Sequence, residues 1–266
     1  MMLRAPWKKH ALPADELANH VFSTYTSIRY GIAAIAVAFP LWLFLGGYLQ
    51  GMDLQPSMSA YYWATVGTEY PMRIWFVGIL FVVAAFLYLY KGFTPFENYA
   101  LNVAGVCAFG VAVVPMCQNQ CPTFTTHGTL AILLFLCIAY VSVARATDTL
   151  VLVADETLQA RYRRTYRILG GVMVASPLTA FVTTTVLTGS TTRYVFFIET
   201  AGIYAFAAYW GLKSRELKRT NAELHAVRGT LHVTDRGLRL AGSANAAVGP
   251  GPCSGRPVRP SGTTPA

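Results

Sequence analysis

Six apolar blocks, each 17 to 20 residues long, constrain this chain more than any other feature: Tyr30 to Leu49, Ile74 to Tyr90, Tyr99 to Met116, Gly128 to Ala144, Ile168 to Leu187 and Tyr194 to Leu212. At a rise of about 1.5 Å per residue, a helix of that length measures roughly 25 to 30 Å, which matches a bilayer hydrocarbon core of about 30 Å. One such block fits the buried core of a soluble protein, but six in succession do not. Composition agrees, because only 12% of residues are charged and 54% are hydrophobic, whereas a soluble domain carries about 25% charged residues. The expected fold is therefore all-α, a polytopic membrane protein built as a six-transmembrane-helix bundle.

The formal charge of +9 would suit nucleic-acid binding if it formed a patch on a soluble domain. The basic residues lie instead between and after the apolar blocks, so no nucleic-acid partner is expected. Arg4, Lys8, Lys9 and Arg29 precede or open the first block, and Lys91 follows the second. Arg145, Arg161, Arg163, Arg164 and Arg167 lie between the fourth and fifth, and Lys213, Arg215, Lys218 and Arg219 follow the sixth. The opposite loops hold only Arg73 and Arg193. Cytoplasmic loops retain Lys and Arg, so both termini are expected in the cytoplasm and the chain in the inner (plasma) membrane. Lys8 and Lys9 are well separated from the first apolar block, so that block reads as a retained span rather than a signal peptide.

The expected organisation is a cytoplasmic N-terminal segment (1–28), the six-helix domain (29–213), a basic juxtamembrane segment (214–227) and a disordered tail (228–266). The tail is rich in Gly, Pro, Ser, Arg and Ala, with too little apolar surface to offset its ordering entropy. Pro40 and Pro177 fall in mid-block, where each removes a backbone donor and bends or hinges its helix.

The residues with chemistry to offer gather at the outer end. The first outer loop holds Ser57, Ser59, Tyr61, Tyr62 and Trp63. These aromatic residues suit a membrane-interface belt, and equally a loop that presents hydroxyls to a lipid or substrate. Glu199 is the only acidic residue within any apolar block, about 8 Å below the outer boundary by helical rise. An intramembrane carboxyl marks either a functional site or a paired structural contact. His127 opens the fourth block and Arg73 the second, both at that level, where each alone would serve as an interfacial anchor. The candidate ligand-binding residues are thus Ser57, Ser59, Tyr61, Tyr62, Arg73, His127 and Glu199. Cys117 and Cys121 flank the third outer loop, where an oxidising exterior permits a disulfide, although the spacing is a weak signal. One His at a helix edge falls short of the three ligands of a catalytic zinc site, and no metal or cofactor is expected.

The order of features resembles a known family: Pro56-Ser57-Met58-Ser59-Ala60 in the outer loop, Arg73 through Gly78 opening the second span, Asn102-Val103-Ala104-Gly105 in the third, His127 heading the fourth and Phe197-Ile198-Glu199-Thr200-Ala201 in the sixth. Together these resemble the Frag/DRAM/Sfk superfamily of six-span membrane proteins, over roughly residues 25 to 215. The resemblance implies a compact six-helix bundle, a link to lipid organisation or membrane-protein regulation, and Ser57, Ser59, His127 and Glu199 as characteristic positions. The seven-span hydrolases related to alkaline ceramidases fit poorly, because this chain lacks the paired His in its last span.

Three readings follow. The leading one is a non-enzymatic protein that binds membrane lipids, or another membrane protein, at the outer end. The second is an outer-leaflet hydrolase or transferase in which Ser59 attacks, His127 is the base and Glu199 orients it. The third is a proton-coupled transporter or channel using Glu199. The first two differ in whether Ser59 reaches His127 and His127 reaches Glu199.

Overall fold

The computed structural model describes residues 14–118, 121–187, 193–234 and 237–240. Six long helices dominate it: α1 (Ala14–Leu49), α2 (Arg73–Leu89), α3 (Pro95–Val113), α4 (Thr126–Tyr140), α5 (Glu156–Val182) and α6 (Arg193–Thr220). Each packs on its neighbours in sequence and α6 returns to pack on α1, which closes the ring. Five stretches, Glu16–Leu49, Pro95–Val113, Thr126–Leu152, Glu156–Thr185 and Arg193–Thr220, are long and apolar enough to cross a membrane; α2 is apolar and 17 residues long.

Several helices outrun their apolar blocks. Hydropathy marks only the apolar part of a helix, whereas the helix itself ends where capping stops it. α5 begins at Glu156, well before Ile168, because the Asp155 side chain accepts from the N–H groups of Thr157 and Leu158. α3 begins with Pro95 after Thr94, whose hydroxyl accepts from the Glu97 N–H. α1 begins at Ala14, so part of the expected N-terminal segment is already helix. Pro40 and Pro177 both lie inside continuous helices.

The interior is divided into two apolar clusters. One, nearer the ends of α1 and α6 that carry Arg29 and Lys213, contains Ile32, Leu87, Leu101, Ile138, Tyr166, Met173, Tyr209 and Trp210. The other, at the opposite end, contains Phe39, Leu43, Met58, Tyr61, Met72, Phe76, Leu80, Val111 and Phe196. Met58 and Tyr61 belong to the loop between α1 and α2, so that loop folds into the end of the bundle. Small residues permit close helix approach. At Gly105 a Cβ would stand 2.9 Å from the Ala84 carbonyl oxygen and 3.0 Å from the Tyr88 nitrogen. The outward faces are apolar, with Ile74 74% exposed, Val106 59%, Ile168 55% and Phe197 58%.

Beyond α6 the chain folds back, and here the expectation of a disordered tail from residue 228 meets a different structure. A short helix, α7 (Ala222–Val227), leads into an antiparallel hairpin, β1 (Leu231–Thr234) with β2 (Gly237–Leu240). β2 rests on the 3-10 turn Asp148–Leu152, and Leu238 is buried. Averaged over the whole tail, the Gly- and Pro-rich composition hides the alternation of Leu231, Val233, Leu238 and Leu240, which is a strand pattern. Residues 241–266 lie outside the described residues.

Candidate functional site

The loop between α1 and α2 closes one end of the ring. Its centre is a single 3-10 turn, Ser59–Tyr62. The Ala60 N–H leads into the turn by donating to both the Ser57 carbonyl at 3.2 Å and the buried Ser57 hydroxyl at 3.1 Å, a local side-chain-to-main-chain bond typical of Ser. Three further bonds pin the loop, two to α6 and one to the segment that follows α3. The Met58 N–H donates to Glu199 Oε2 at 2.7 Å, the Phe196 N–H donates to the Pro56 carbonyl at 3.0 Å, and Trp63 Nε1 donates to the Met116 carbonyl at 2.8 Å. Tyr61 is buried against Phe196, with ring centroids 6.1 Å apart. That burial pushes its phenol pKa above the ordinary value. Ser57 also donates to Met116 Sδ at 3.7 Å.

Ser59 and His127 meet directly, with Oγ 2.9 Å from Nε2. His127 Nδ1 lies 2.7 Å from the Val114 carbonyl oxygen. A carbonyl only accepts, so Nδ1 carries the proton, and in the neutral ring Nε2 is left as the acceptor for the Ser59 hydroxyl. The serine therefore donates to an imidazole whose tautomer is set by the main chain. Thr125 positions the ring by capping α4 through its hydroxyl, which accepts from the Gly128 N–H. The contact of His127 with Glu199 that the hydrolase reading requires is not what the structure has, because the ring's second nitrogen is taken by Val114 and Glu199 Oε2 by the Met58 N–H. The reason lies in chain ends: α3 stops at Val113, and its last carbonyls, unsatisfied within the helix, face the start of α4.

Arg73 heads α2 and is caged. Its Nε donates to the Tyr62 carbonyl at 2.9 Å, and its guanidinium carbon lies 3.8 Å from the ring centre of Tyr70, 4.5 Å from Tyr62 and 5.1 Å from Trp63. Such stacking suits the planar, weakly hydrated guanidinium. Its Nη2 is buried without a hydrogen-bond partner. Among the described residues no carboxylate lies within ion-pair distance of Arg73, whereas Arg193 has Asp53 at 4.0 Å. Arg73 and Tyr62 stand at the head of an open groove of about 460 Å³ between α2 and α3, whose other walls are Tyr70, Ile74, Val77, Phe81, Ala112 and Val113.

All seven candidate residues thus lie at one end of the bundle. Sequence reasoning missed the main-chain partners Pro56, Met58 and Val114, which no residue type signals, and Trp63, whose indole N–H holds the loop. Cys117 and Cys121 are bonded to each other. Among the described residues no three His, Cys, Asp or Glu side chains are grouped as metal ligands would be.

A second polar cluster at the opposite end was also missed, because its cations read as loop charges. Arg29 is fully buried and paired with Glu223 of α7; it also donates to Ser214 and Tyr90, each at 3.3 Å. Lys213 is buried as well, donating to the Ala146 carbonyl at 2.9 Å, to Thr149 at 2.5 Å and to Glu216 at 3.1 Å. Glu216 takes further bonds from the hydroxyls of Thr149 and Tyr166. These contacts make the cluster a structural clasp joining α1, α5, α6 and α7.

No protein family, no curated protein and no solved structure matches this chain.

Proposed function

We propose that this chain is a multi-pass protein of the inner membrane that crosses six times with cytoplasmic termini and binds membrane lipid at its outer end. The groove between α2 and α3 carries the reading. Its walls are apolar along the bundle's outward face, and its head holds a guanidinium with no carboxylate partner among the described residues. An acyl chain suits the walls, and the guanidinium suits the phosphate of a lipid headgroup. The outward apolar side chains support a lipid surround, since soluble monomers rarely expose such continuous apolar area. The bias of Lys and Arg to one side supports the orientation, and it survives without the buried Arg29 and Lys213. The resemblance to Frag/DRAM/Sfk proteins points to lipid organisation as well.

The test is lipid retention by the full chain in detergent, read by native mass spectrometry against added phosphatidylglycerol. Arg73→Gln should weaken binding about 10-fold, the equivalent of one charge-assisted hydrogen bond. Val77→Trp, which fills the groove, should abolish it. Equal retention by the wild type and Val77→Trp would refute the site; occupation by another membrane protein would appear as a co-purifying partner lost on the same substitution.

A further inference from the structure

The Ser59–His127 contact is not needed to hold the loop. Glu199, Phe196 and Met116 pin the loop without using the Ser59 hydroxyl. Ser59 is partly exposed while His127 is 6% exposed, so the hydroxyl stands between a buried imidazole and the surroundings. Residues three apart in a 3-10 turn eclipse, which puts Ser59 on the same side of the turn as Tyr62, a wall of the groove. Val113 forms another wall, and its neighbour Val114 supplies the carbonyl that orients His127. The turn that carries the serine and the segment that orients its base therefore each supply a wall of the groove.

We propose that Ser59 is a nucleophile that accepts an acyl group from an oxygen ester of a membrane lipid, with His127 as its general base. The proposal rests on the lipid-binding reading for delivery of the ester. Ser59 Oγ forms a bond to the ester carbonyl carbon as its proton passes to His127 Nε2. The tetrahedral intermediate then breaks its bond to the lipid alkoxy oxygen, which leaves as an alcohol with that proton. Water, or a second alcohol, attacks the acyl-serine while His127 takes its proton, and the proton returns to Ser59 as the acyl group departs. Val114 replaces the carboxylate of a three-residue arrangement, holding the tautomer without stabilising the imidazolium by charge. Glu199 is a positioning residue, since it fixes Met58 next to Ser59.

The experiment is labelling of the purified full chain with an alkyl fluorophosphonate, located by peptide mass spectrometry, alongside release of fatty acid from phosphatidylglycerol vesicles. Ser59 should be the labelled residue, and Ser59→Ala should lose both signals. His127→Asn keeps a nitrogen donor near the Nδ1 position for Val114 while removing the base, and should lower the labelling rate by about 100-fold or more with the fold retained. Phosphatidylglycerol retention, measured on the same preparations, separates the two readings. Retention with no label on Ser59, or label that survives Ser59→Ala, overturns the acyl chemistry and leaves lipid binding intact. Label on Ser59 with no retention overturns the binding site instead.

Discussion

Replacing Arg29 with Leu should be among the most damaging single substitutions in the chain. The guanidinium is 0% exposed, and its Nη1 donates to both the Glu223 carboxylate and the Tyr90 hydroxyl, while Nε donates to Ser214 and Nη2 to Thr26. Leu fills much of the volume but supplies no donor. Glu223 then stays 6% exposed with neither oxygen paired, since Oε2 already has no partner. Breaking a buried pair from one side costs about 3–5 kcal/mol, and the stranded hydroxyls of Ser214 and Tyr90 add to that cost. The double variant Arg29→Leu with Glu223→Leu removes the uncompensated charge, so it should be more stable than Arg29→Leu alone. Reversible unfolding in mixed detergent micelles, titrated with sodium dodecyl sulfate, measures all three differences. A loss below about 1 kcal/mol in the single variant, or a double variant no more stable than the single one, would refute the view that this pair is buried and coupled.

Truncation after Gly229 should lower stability by about 2 kcal/mol, the worth of one buried Leu side chain, because Leu238 is lost from the Asp148–Leu152 turn; an unchanged unfolding midpoint would mean the hairpin adds nothing. Glu199→Gln retains an acceptor for the Met58 N–H and should keep the loop closed. Glu199→Leu strands that donor, and proteolysis of the 50–72 loop should then rise at least several-fold. Reporter fusions after Lys91, Arg163 and Arg219 should all report cytoplasm, and fusions within residues 51–72 the opposite face; an external signal after Arg219 would break the six-span topology.

The helices were legible because lipid-length apolar runs and capping residues are local signals. His127 and Glu199 could be placed near one level from block edges and helical rise, and Ser59 beside them by its outer loop, yet their pairing could not. That pairing depends on where α3 ends and on how the 3-10 turn presents Met58 N–H and Ser59 Oγ, which are main-chain matters. Arg29 and Lys213 misled in the opposite direction, since a cation at a block edge reads as a topology marker whether it faces water or a buried Glu. The hairpin was lost to averaging over a long tail, although its alternating Leu and Val residues are plain when taken alone.

The clasp at Arg29 has a consequence for biosynthesis. Its partners Ser214 and Glu223 come 185 and 194 residues later in the chain. At about 5–20 residues per second, the ribosome needs on the order of 10 to 40 s to deliver them after Arg29 has emerged. For that interval α1 carries a guanidinium without its later partner Glu223, free to reach along its own stem toward water. Only when α6 and α7 arrive can Arg29 be covered, so α1 reaches its final packing after the helices that follow it have been made.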